Sequence, residues 1–188
     1  MKKLFVTILI ALLLWSCGQK DKEKIVLSEN EVKQNATLTT LNESTDSLRE
    51  LMSFRKEGLD SEYKDYQIYN LNEILSEDFN GDGVVDKAEF KKQKDSGIII
   101  TDGKTHKVTR LGFGQQFAHM TDFDWVSFWG ILNDKTTFEI TFDNETGDIS
   151  GDTIVTLKNK SIFVAEDEGG GGVITYENDS YKWIHQSD

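Results

Sequence analysis

Three kinds of hydrophobic pattern follow one another along this chain. Behind Met1-Lys2-Lys3, Leu4 to Trp15 is a run of twelve mostly apolar residues. A membrane-spanning helix needs ~20 such residues, so the run predicts the apolar part of an export signal rather than a span. From Ser28 the chain is polar and free of glycine until Gly58. Within it Leu38, Leu41, Thr45, Leu48 and Met52 recur at 3-4-3-4 spacing, which predicts one face of an amphipathic helix docked on the body of the protein. Association with a partner helix is the alternative reading of the same seam. Gly58 and Asp60 predict a break, and Tyr63, Tyr66, Ile68, Leu71, Ile74 and Leu75 predict a further helix.

Beyond Gly97 the period falls from the helical one to two. Ile98–Thr101 and Lys107–Leu111 flank the hairpin dipeptide Asp102-Gly103. Thr137 to Phe142 alternates, with Phe138, Ile140 and Phe142 expected on a buried face. Further strands are expected at Val126–Leu132, Thr153–Leu157, Ile162–Glu166, Val173–Tyr176 and Tyr181–His185, with a short helix or loop over Gly114–Met120. Close spacing with no helical pattern between them predicts antiparallel neighbours. The fold class expected is therefore α+β, helices first and then a mostly antiparallel meander. The divisions are 1–16 signal, 17–27 tether, 28–96 helical region and 97–188 β-rich domain.

Charge narrows the partners. The 188 residues carry 21 basic and 33 acidic side chains, a formal charge of −12. That balance argues against nucleic acid, whose phosphates require basic contacts, and suits a protein that works near divalent cations. The single cysteine, Cys17, excludes a disulfide within the chain. No proline is present, so no segment reads as a rigid linker.

The most specific chemistry lies in Asp78-Phe79-Asn80-Gly81-Asp82-Gly83-Val84-Val85-Asp86-Lys87-Ala88-Glu89. Calcium takes six to eight oxygen ligands at roughly 2.3–2.6 Å, so oxygens must recur along a chain that wraps the ion. The stretch resembles the twelve-residue calcium loop of the EF-hand family. The resemblance implies Asp78, Asn80 and Asp82 as side-chain ligands and Gly83 at the sharp turn. It further implies the Val84 carbonyl as a ligand, Asp86 acting through water, and Glu89 closing the shell with both carboxylate oxygens. Family members pair their loops through the residue corresponding to Val85, and no second loop is present. Asp143 to Asp148 comes nearest, with Gly and Asp exchanged at the critical places, and predicts a hairpin turn instead. Val85 and Phe90 are therefore expected to pack on the β-rich domain, making calcium a clamp; the alternative is a calcium-dependent dimer.

At the N-terminus, Leu14-Trp15-Ser16-Cys17 resembles the lipobox of bacterial lipoproteins, which implies a lipidated Cys17 as the first mature residue. The following Gly18-Gln19-Lys20-Asp21-Lys22-Glu23-Lys24 is similar to the charged export signal of Bacteroidota surface lipoproteins. These resemblances imply an outer-membrane protein, anchored by lipid and displayed at the cell surface.

The remaining features point less far. Glu166, Asp167 and Glu168 precede Gly169–Gly172 and would repel a phosphate, so the glycines read as a flexible turn. Phe123, Trp125, Phe128 and Trp129 read as core or as a stacking platform. His119, Asp122, Asp124 and His185 are a candidate acid–base cluster. Tyr181-Lys182-Trp183-Ile184-His185 is similar to the last strand of cone-shaped α+β folds such as nuclear transport factor 2. The expected function is a non-enzymatic, calcium-binding outer-membrane lipoprotein in which calcium is structural or regulatory. Two alternatives stand beside it. One is a ligand-binding or enzymatic pocket in a curved sheet braced by calcium. The other is a surface module that binds glycan or protein through aromatics.

Overall fold

Period-two patterning dominates far more of the chain than expected. The computed structural model describes residues 47–187, with one helix, α1, over 47–62 and eleven strands after it. The α+β expectation with a helical N-terminal half is corrected: the described residues are mostly antiparallel sheet. The export signal, Cys17, the tether and the seam residues Leu38, Leu41 and Thr45 lie outside the described residues. No described helix is long and apolar enough to cross a membrane.

The strands are β1 (Tyr66–Tyr69), β2 (Leu75–Glu77), β3 (Asp86–Lys91), β4 (Gly97–Thr101) and β5 (Val108–Gly112). They continue with β6 (Phe128–Leu132), β7 (Thr136–Phe142), β8 (Ile149–Thr156), β9 (Ser161–Ala165), β10 (Gly171–Glu177) and β11 (Ser180–Ser187). One sheet runs β1-β6-β9-β10-β11, a second is the meander β2-β3-β4-β5, and β7-β8 is a separate ribbon. Every pairing among them is antiparallel.

The five-stranded sheet is buried on both faces. Trp129, Ile131, Ile162, Val164 and Ile174 pack on Leu75, Ala88, Phe90, Ile98, Ile100 and Leu111 of the four-stranded sheet. On the other face Phe128, Leu132, Phe163, Val173 and Ile184 meet Leu59 and Tyr63. This double burial explains why all of β6 reads as apolar, since neither face needs polar residues. Gly130 lies where an added Cβ would stand 2.0 Å from the Gln67 carbonyl oxygen. Only glycine lets β1 approach there.

Where a second helix was expected, Tyr66 and Ile68 alternate on β1 and Leu75 belongs to β2. Aromatic and β-branched residues suit a pleated, half-buried surface. Tyr66 pairs with Leu132 and Tyr69 with Trp129, so partners far along the chain select the strand. Asn70 and Glu73 close the turn between them, Glu73 Oε2 accepting from Asn70 N–H at 2.6 Å.

The helix α1 passes through Gly58 without the expected break. It docks through Arg55, Leu59 and the following Tyr63, while Leu48 and Met52 of the predicted docking seam are exposed. In the β7-β8 ribbon, Phe142 is likewise exposed and Thr137 is the buried residue of β7. Asp143 to Asp148 is a turn, with Asp143 N–H donating to the Asp148 carbonyl. Asn178 and Asp179, both at positive φ, make the two-residue turn between β10 and β11. The one helix among the described residues, α1, packs on the face of the sheet that holds β11, Leu59 lying in one cluster with Ile184.

Candidate metal centre

The acidic loop joins β2 to β3 rather than two helices. Its side chains fold inward on its own backbone. Asp78 Oδ1 accepts the N–H groups of Gly81 and Asp82, at 2.8 and 3.1 Å, and its Oδ2 accepts that of Gly83 at 2.9 Å. Asn80 Oδ1 accepts from Asp82 N–H, and Asp82 Oδ1 from Val84 N–H, both at 2.9 Å. Such turns follow from short polar side chains that reach the backbone two residues on. Gly81 and Gly83 take φ of 77° and 87°, where a side chain would be strained.

Asp86, the first residue of β3, is fully buried beneath the loop. Its Oδ2 accepts from Phe79 and Asn80 N–H at 3.1 and 3.3 Å, and its Oδ1 from Gly103 N–H at 2.9 Å. Burial pushes its carboxyl up, three backbone N–H groups pull it down, and nearby Asp102 pushes it up again. Asp86 thus ties the loop to the turn between β4 and β5. That turn lies tight against the loop: a Cβ on Gly103 would fall 2.0 Å from the Val85 carbonyl oxygen.

The same turn brings Asp102, which the sequence marks only as half of a hairpin dipeptide. Asp102 Oδ1 accepts from Lys104 and Thr105 N–H, and its Oδ2 lies 3.2 Å from Asn80 Nδ2. Backbone donation from Thr105 leads the forces that hold its carboxyl below the usual range. Lys104 Nζ stands 3.9 Å from Asp82 Oδ2.

Glu89 goes elsewhere. On β3 it lies three residues from Asp86, so strand alternation turns it to the opposite face. There it takes Lys91 Nζ at 2.5 Å. Hydrogen bonds link Asp78, Asn80 and Asp82 to the loop's own backbone, Asp86 to the N–H groups of Phe79 and Asn80, and Asp102 to Asn80. Three carboxylates do not converge on one point, and Glu89 is left out. Of the two residues expected to pack on the β-rich part, Phe90 meets Trp129 edge to face at 5.8 Å, while Val85 is exposed.

Two further contacts reach this region from the turn between β8 and β9. The Asn159 side chain lies 2.3 Å from where a Cβ on Gly81 would be. Lys160 Nζ donates to Glu77 Oε1 at 2.7 Å. Tyr181 is also close: burial pushes its phenol up, and the charges of Asp86, Asp102 and Asp78 add to that push.

The side-chain donors here are of the type that a hard cation takes. They are oxygens, and Asp78 Oδ2, Asp82 Oδ2 and Asn80 Oδ1 keep lone pairs beyond the hydrogen bonds they accept. Among the described residues, no three His, Cys, Asp or Glu side chains converge as a metal-binding group. Amide and carbonyl oxygens would have to supply part of the shell.

The acid–base candidates separate. His119 and His185 meet with ring centroids 5.1 Å apart, and Trp183 and Trp125 continue the chain of rings. Asp122 and Asp124 instead accept backbone N–H groups, from Asp124 and Ser96 respectively. Trp129 is buried in the core. Compared with known proteins, the chain matches no family model, no curated protein and no solved structure.

Proposed function

We propose that this chain is a non-enzymatic, calcium-binding lipoprotein of a bacterial outer membrane, anchored through Cys17. Calcium in the β2–β3 loop would brace the two sheets against each other. The observation that carries this reading is the inward-turned set Asp78, Asn80 and Asp82, held by Asp86 against the turn that presents Asp102. In this arrangement Asp78, Asn80, Asp82 and the Val84 carbonyl are direct ligands, and Asp86 holds the loop in shape. Asp102 supplies the carboxylate that the family motif would have drawn from Glu89. A divalent ion would relieve the mutual repulsion of these carboxylates. Lys104, on a flexible stem, would move aside.

Direct calorimetric titration with calcium tests the reading. Saturable heat is expected from the intact protein and not from Asp78→Asn. The anchor is tested separately, since Cys17→Ser should shift the protein from the membrane fraction to the soluble one. Exposed Val84 and Val85 favour one variation, in which two loops meet across a calcium-dependent dimer. A sedimentation coefficient that rises on adding calcium would establish the dimer. A second reading, a surface module for glycan or protein, is favoured by the Trp125, Trp183, His119 and His185 rings in mutual contact.

A further inference from the structure

Away from the acidic loop, the β7-β8 ribbon has an open edge. β8 is eight residues long and pairs with β7 alone. Just beyond it, Leu157 N–H donates to the Lys135 carbonyl at 2.9 Å, which fixes the hydrogen-bonded positions of the ribbon. In an antiparallel pair such positions alternate with ones whose backbone groups point away. Counted back from Leu157, Val155 and Thr153 turn their N–H and C=O groups towards β7, while Thr156, Ile154 and Asp152 turn theirs outward. Those outward groups have no hydrogen-bonding partner among the described residues. Natural sheets blunt an edge of this kind with lysine, proline or a short strand. β8 uses none of these, and its one charged residue is Asp152. Its register shift lies opposite Thr141 and Phe142, towards the hairpin turn, and leaves 151–156 regular.

The face beside this edge is apolar. Phe138 stands opposite Ile154 and Phe142 opposite Ile149, with Ile140 between them on the same side of β7. Ile154 is 72% exposed, and Ile149 and Phe142 also lie open. An alternation with the pattern of a buried face is thus left uncovered by the described residues. Contiguous apolar side chains beside unpaired backbone mark a surface built for another strand.

Charge selects the occupant. Residues 136–156 carry Glu139, Asp143, Glu145, Asp148 and Asp152, and no lysine or arginine. None of these five is in an ion pair among the described residues. A second copy would bring the same carboxylates to the same edge and be repelled. A basic strand would be attracted and held in register.

We propose that β8 accepts, by strand addition, an extended segment of another protein in which basic and apolar residues alternate. Its backbone bonds to the outward groups of Asp152, Ile154 and Thr156. Its apolar side chains lie beside Ile154 and Ile149, and its cations meet the carboxylates of the ribbon and its turn. The inference is independent of the calcium reading, since it shares no residue with the acidic loop.

The test is fluorescence anisotropy of labelled peptides of about eight residues, long enough to cover the edge, titrated with the intact protein. One alternates lysine and valine, and a second carries glutamate in place of lysine. A third keeps the charge of the first but has proline at its central valines, so it cannot pair as a strand. Saturable binding of the lysine–valine peptide is expected, at least roughly tenfold tighter than either of the others. Ile154→Pro removes one outward N–H, which an edge strand tolerates, and should weaken binding at least about tenfold. Ile154→Lys puts a like charge on the edge and should have the same effect; it decides alone if the proline variant has a lowered thermal midpoint. Equal affinity for the first and third peptides would show attraction to an acidic surface without strand pairing, and would overturn the proposal. So would the absence of saturable binding, or binding unchanged in Ile154→Lys. Without calcium, a sedimentation coefficient that rises with protein concentration in the wild type but not in Ile154→Lys would make the occupant a second copy and equally overturn it.

Discussion

Glu89 and Asp102 differ in the direction each side chain takes from its strand or turn, and the proposed calcium site rests on that difference. On β3, Glu89 faces away from Asp86 and pairs with Lys91. Asp102 reaches Asn80 from a turn 22 residues on. Replacing Asp78 by Asn should lower calcium affinity at least about tenfold, because a unit charge leaves the centre of the site. By contrast, Glu89→Gln should change affinity less than about threefold, and Asp102→Asn should weaken it about three- to tenfold. Calorimetry on the three variants checks the ranking, and loss of binding in Glu89→Gln with Asp102→Asn unaffected would reverse it. Lys104→Gln should tighten calcium about two- to threefold, since an exposed ion pair contributes ~0.2–1 kcal/mol. At this scale the loop was legible because its spacing is local. Asp102 was not, because the approach of two turns depends on pairing between β3 and β4 that no short spacing records.

Between residues and the whole fold, the elements show where periodicity failed. Tyr66 and Ile68 fit both a helical and an alternating template over so short a stretch, and pairing with β6 settles it. The strands after Gly97 were legible because turn residues bound them. Gly58 has the composition of a break, yet α1 runs through it, and its unused Cβ position makes a direct prediction. Gly58→Ala should stabilise the protein by about 0.5–1 kcal/mol, seen as a raised thermal midpoint, because the substituent meets nothing. A fall would mean that the backbone there is strained. The start of β4 is pinned differently, by Asp124 accepting from Ser96 N–H at 2.7 Å. Hydrogen bonds from Ser96 hold the Asp124 carboxyl below its usual range. A depressed folded value means the stabilisation is present above the unfolded value, ~3.9, and fades as pH falls through the lower folded one. The thermal midpoint should therefore fall more steeply below about pH 4 in the wild type than in Asp124→Asn. Parallel curves would remove this carboxylate from the acid transition.

For the whole molecule, the loop sits where separate parts of the fold meet. Asp86 and Gly103 tie it to the four-stranded sheet, while Asn159 and the Lys160–Glu77 pair reach it from the turn that leads into β9 of the five-stranded one. Phe90, four residues beyond Asp86 on β3, packs on Trp129 in the core between the sheets. An ion in the loop should therefore stabilise both sheets together. At tenfold excess over its dissociation constant, calcium would add about 1.4 kcal/mol, a real share of a domain's margin. The acidic composition pointed towards a cation, but not to sheets as the parts to be braced. Sheets replaced helices through contacts far apart along the chain. The most direct measurement is a calcium titration followed at once by calorimetry and tryptophan fluorescence, on the wild type and Asp78→Asn. Heat that saturates together with a change in tryptophan emission, both absent in the variant, is the expected result. No heat at millimolar calcium, or equal heat from the variant, would contradict a calcium brace at this loop.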